Sequence, residues 1–74
     1  MKEHDCVVLT KPIADHGLQA GDVGAIVHVY QNGQAFEVEF VAGNGTTVAV
    51  ITLDRSAVRP IYGSEILHVR TVPA

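Results

Sequence analysis

A chain of 74 residues cannot divide its apolar side chains between two cores, so a single domain is expected to span residues 1–74. Aromatics make up 5% of the chain and Trp is absent, so Val, Ile and Leu must fill the core, a composition that favours sheet. The net charge is −3, and Lys2, Lys11, Arg55, Arg59 and Arg70 are scattered through separate segments, which argues against phosphate neutralisation and against nucleic acid as a partner.

Residues 1–5 are charged and no apolar leader follows them; no run approaches the roughly 18 apolar residues of a membrane span. The expected location is the cytoplasm, without membrane contact. A single cysteine, Cys6, forms no internal disulfide, and beside Val7 and Val8 it reads as a small buried hydrophobe.

Val7–Leu9 reads as a first short strand. The connection from Thr10 to Asp22 holds Pro12, Gly17 and Gly21, which interrupt any helical stripe. A β-rich run follows from Val23 to Tyr30, entered through Gly21-Asp22-Val23-Gly24. Asn32-Gly33 then separates two alternating runs, and both residues tolerate the positive φ of a type I′ hairpin turn. With that pair as the loop, Val29 faces Phe36, Val27 faces Val38 and Ala25 faces Phe40 on the apolar side. His28 faces Glu37 and Ile26 faces Glu39 on the other side. Asn44-Gly45 repeats the signal and sets Phe40 against Ala49, Val38 against Ile51 and Phe36 against Leu53. A turn at Asp54-Arg55-Ser56 leads to a short last strand, Val58–Pro60, whose proline suits an edge.

Strand, long loop, three-stranded meander, turn and short strand is the order of an SH3-like barrel. The expected fold class is therefore all-β: a small SH3-like barrel of five short antiparallel strands, with a core at about residues 5–60 and a C-terminal extension, 61–74. An OB-fold wants a helix between its later strands, and no segment offers one.

Val7-Val8-Leu9, Gly17-Leu18, Gly21-Asp22-Val23-Gly24, Val38-Glu39-Phe40 and Thr52-Leu53, taken together and in order, resemble the short bacterial family called domain of unknown function 4926. That resemblance implies a compact SH3-like domain and no particular activity. Gly21 to Val27 is also similar to the glycine-and-valine motif of SH3-like domains in ribosomal and transcription-elongation proteins. The strand geometry carries over from that motif; the RNA ligand does not, because Asp15, His16, Asp22 and Asn32 occupy the loops that are basic there.

Catalytic and metal chemistry find little footing. His4, His16, His28 and His68 form no pair at ligand spacing, so no metal or other cofactor is expected. No Ser, Thr or Cys is set beside a base, so the protein is not expected to be an enzyme. His28, Glu37 and Glu39 form the one polar constellation on a shared face; a cross-strand charge pair explains it better than an acid–base pair. Tyr30 and Tyr62 read as half-buried packing groups with wet hydroxyls.

On the outer face the rows run Gly24, Val41, Val48; then Ile26, Glu39, Val50; then His28, Glu37, Thr52. Ile26, Val41, Val48 and Val50 therefore form an apolar patch that needs a cover. Ile66, Leu67, Val69 and Val72, in a tail of β-forming residues, are the candidate cover, adding a strand or packing across the sheet. The leading expectation is a non-catalytic protein-interaction or assembly module, a dimer or higher homo-oligomer, with these eight residues at the contact. The alternatives are a nucleic-acid-associated domain and an antitoxin-like regulator of a product encoded beside it, the acidity suiting a basic protein partner.

Overall fold

A computed structural model describes residues 1–72. Five antiparallel strands form one sheet: β1 (Cys6–Leu9), β2 (Val23–Tyr30), β3 (Ala35–Val41), β4 (Thr47–Asp54) and β5 (Val58–Pro60), in the order β4-β3-β2-β1-β5. The long β1–β2 connection, the β2–β3–β4 meander and the 3-10 turn Arg55–Ala57 before β5 are the parts of an SH3-like barrel. No α-helix occurs among the described residues, and none is therefore long and apolar enough to cross a membrane.

The first hairpin follows its turn chemistry. Asn32 lies at φ 58°, ψ 36° and Gly33 at φ 91°, and the Gln34 N–H donates to the Gln31 carbonyl at 3.2 Å, which is type I′ geometry; Gln31, at φ 49°, is left-handed as well, so the loop between Tyr30 and Ala35 is wider than the expected two residues. Val29 pairs with Phe36 and His28 with Glu37, as the sequence predicts. Beyond them the register shifts. Ile26, not Val27, pairs with Val38, and Ala25 pairs with Glu39 rather than Phe40, because an extra residue at Val27 bulges out of the ladder. The swap reverses two expectations: Ile26 is 0% exposed in the core, while Val27 is 41% exposed.

Gly24 explains why the inward side belongs to the even-numbered residues there. A Cβ on Gly24 would come within 2.6 Å of Val38 Cγ1 and 2.8 Å of Phe40 Cε1. Gly24 thus lies buried and faces the core, not the outer row assigned to it from the sequence. Its missing side chain is what lets β2 close against the two β3 side chains.

The β3–β4 pairing is as expected over Phe36–Leu53, Val38–Ile51 and Phe40–Ala49. Its loop is one residue longer than a two-residue turn. Ala42 donates to Thr46 at 2.8 Å, Gly45 has φ 87°, and the shift is absorbed next to Val48, so Val41 pairs with Thr47. The inward side chains of both hairpins, Phe36, Val38, Phe40 and Leu53, close on Val7, Leu9 and Leu18. Cys6, outward on β1, is exposed, which corrects its reading as a buried residue.

Candidate functional site

The outer side of the meander carries the polar constellation. His28 and Glu37 are Cα partners, and Glu39 is two residues along the same face. The two carboxylates are engaged by β4, not by the histidine. Thr52 Oγ1 donates to Glu37 Oε1, and Thr47 Oγ1 donates to Glu39 Oε2 at 2.8 Å. His28 instead packs edge-on against Tyr30, with ring centroids 4.4 Å apart. Threonine hydroxyls therefore complete these carboxylates, and the expected histidine–carboxylate charge pair does not form.

The tail takes a form that periodicity does not foresee. Residues 61–72 form no strand, and the last two residues of the expected extension, 73 and 74, lie outside the described residues. Two guanidinium–carboxylate forks hold the tail. Near its start, Arg59 Nη1 and Nη2 donate to Glu65 Oε1 and Oε2 at 2.8 and 2.6 Å, while the guanidinium lies 5.0 Å from the Tyr62 ring centroid. The Tyr62 N–H also donates to Glu65 Oε1 at 2.7 Å. Hydrogen bonding from Arg59 first, and from that N–H second, holds the Glu65 carboxyl down at about 2.

Farther along, Arg70 grips the loop before β2. Its Nε donates to Asp22 Oδ1 at 2.8 Å, and Nη2 donates both to Asp22 Oδ2 and, at 2.9 Å, to the Gly17 carbonyl. Asp22 also accepts the Gln19 N–H at 2.8 Å, so one carboxylate closes the loop and anchors the tail. The Arg70 hydrogen bond, ahead of an opposing desolvation effect, holds the Asp22 carboxyl below its usual range. Arg70 is the sole charged side chain in the segment 66–74, and that isolation was the available hint of a specific partner.

Between the tail and the β3–β4 hairpin runs an open cleft of about 620 Å³, floored by Leu18, Val23 and Phe40. Of the eight residues expected at an interface, the structure brings four together around it: Val41 and Val48 on the hairpin side, Val69 and Val72 on the tail side. Ile66 and Leu67 flank a smaller groove with Val8 and Val23. Val50 stands exposed on β4, and Ile26 is withdrawn into the core. The tail shields Val8 but leaves its own apolar groups in water: Ile66 is 89% exposed and Val69 91%.

His68 also borders the cleft. Among the described residues, no three His, Cys, Asp or Glu side chains gather as a cation would require.

No curated protein and no solved structure matches the chain. The model of the family described as domain of unknown function DUF4926 matches residues 3–60, a stretch that takes in every strand from β1 to β5, and the chain belongs to that family.

Proposed function

We propose that the protein is a small, non-catalytic assembly module of the bacterial cytoplasm that acts by associating with a second copy of itself. The observation that carries this reading is the tail: forks at Glu65 and Arg70 order the segment between them, yet Ile66, Leu67 and Val69 remain exposed. Ordering a segment costs entropy, and holding aliphatic groups in water gives nothing back unless a partner covers them. Val41 lines the same cleft as Val69, and Val50 adds a further exposed aliphatic group on β4. Sharing that surface is the economical way for so small a core to gain burial.

The cations support a protein rather than a nucleic-acid partner. Arg59 and Arg70 are engaged by carboxylates and Arg55 Nη1 donates to the Gly33 carbonyl at 2.9 Å, which leaves few groups for phosphate. Light scattering of the full chain from low to high micromolar concentration tests the reading. A rise to twice the monomer mass is expected; a monomer throughout that range would remove the assembly function.

A further inference from the structure

The two ends of the sheet are built differently. β5 is a three-residue edge, with Arg59 at its centre and Pro60 at its end. Short length, charge and proline are the usual protections of an open edge. β4 has none of them along most of its length. It runs from Thr47 to Asp54, and the stretch Thr47–Leu53 carries no charge and no proline. Thr47, Val48, Val50, Ile51 and Thr52 are all β-branched, the residue type that best fits a further strand. Among the described residues, β4 pairs with β3 alone. Its single irregularity lies at its start, beside Val48.

The free backbone groups can be assigned. The Arg55 N–H donates to the Gln34 carbonyl at 3.0 Å and so continues the β3–β4 ladder, in which Ala35 partners Asp54. Bonded and non-bonded pairs alternate in an antiparallel ladder, so Leu53, Ile51 and Ala49 turn their groups toward β3. Val50 and Thr52 turn theirs outward.

We propose that this free edge is where two copies meet, β4 running antiparallel to β4 of the second copy about a two-fold axis near Ile51. The inference rests on the assembly reading for its second copy, but seats that copy on the sheet edge and not on the tail. Val50 then faces Thr52 of the second copy and exchanges backbone hydrogen bonds with it, and the same pair recurs across the axis, which closes the assembly at two chains. A second copy suits the edge because the acidic chain meets itself along its uncharged stretch. Glu37 and Glu39 lie one strand back, so the carboxylates of the two copies are separated by three strand spacings, about 14 Å, beyond the roughly 8 Å Debye length of physiological salt. Val50, half exposed on the outer face, gains a cross-strand neighbour.

The test joins light scattering to amide hydrogen exchange on the full chain and on the double variant Val50→Lys, Thr52→Lys. In one chain the introduced lysines stand opposite Glu39 and Glu37, the Cα partners of these positions, so the barrel retains its fold, which circular dichroism verifies. Across the seam they oppose like charge, and the dimer dissociation constant is expected to rise roughly tenfold or more. In the unaltered chain, the Val50 and Thr52 amides are expected to become protected as concentration rises. A dimer that persists in the double variant, with those amides still exchanging freely, overturns the edge contact and leaves assembly through the tail and cleft standing. A chain that stays monomeric overturns both. Protection of the two amides only when another protein is added replaces the second copy with that partner and likewise overturns the proposal.

Discussion

The barrel and the tail are held by different physics. From β1 to β5 the chain is fixed by apolar burial: Val7, Ile26, Phe36 and Val38 are wholly inaccessible, and the buried side chains among the described residues are all apolar. From Ile61 onward the described chain is fixed by two carboxylates, Glu65 and Asp22, each gripped by an arginine. Apolar burial involves no carboxyl proton and is not weakened by ionic screening. Ion pairs at a partly exposed surface are sensitive to both. One small chain therefore joins a cooperative core to a segment whose attachment is adjustable by solution conditions, and the adjustable segment is the one displaying Ile66 and Val69.

The sharpest break in that contrast comes from Phe36, the largest fully buried side chain and a member of both hairpin ladders. Phe36→Ala should cost about 3–5 kcal/mol, comparable to the whole stability of a domain this size, so thermal or urea denaturation should find the barrel largely unfolded at room temperature. A cooperative transition with a near-normal midpoint would mean that the core is not what organises the sheet.

A smaller effect is expected at Gly24. Adding a methyl brings it within 2.6 Å of Val38 Cγ1 and 3.0 Å of the Glu39 carbonyl oxygen, so either β2 or β3 must shift. Gly24→Ala should destabilise by about 1–3 kcal/mol in urea titration. The same change at Gly43, where a Cβ meets nothing within 4 Å, is the control and should leave the midpoint nearly unchanged.

Those two positions also show what a sequence reader can and cannot see. Asn32-Gly33 specified the first turn because its positive φ values are written in the residue types, and the inward Phe36–Leu53 and Val38–Ile51 pairs followed from alternation. Alternation failed at Ile26-Val27, where two adjacent aliphatic side chains serve either face equally well and a bulge decides between them. Gly24 held the missing information, since an inward glycine opposite Val38 and Phe40 forces Ile26 inward two residues later. The partner of Arg70 lay beyond any such reading, although its lone charge in the segment 66–74 hinted that it had one. Asp22 and Arg70 are 48 positions apart, and no local pattern links them.

The mildest perturbation leaves the barrel intact and acts on the tail alone. In the folded chain both gripping carboxyls are held below their ordinary values, so their forks are complete above the usual carboxylate range and are lost as acid protonates them. For Glu65 the loss runs from the ordinary 4.5 down through about 2. Acidifying through that window should shift the amide resonances of Leu67 and Val69 toward those of an unstructured segment, while the buried side-chain resonances of Phe36 and Val38, turned away from the strand's own carboxylates, hold their positions. Raising salt at neutral pH should move the tail in the same direction but less far, because two-point guanidinium–carboxylate contacts are only partly screened. Arg70→Gln should reproduce the acid effect at neutral pH for the part of the tail nearest Asp22, and leave the Arg59–Glu65 turn in place. If the tail and barrel resonances instead move together through one transition, the two regions form a single cooperative unit; the forks then reinforce the core, and the exposed aliphatic groups of the tail are fixed as firmly as Phe36.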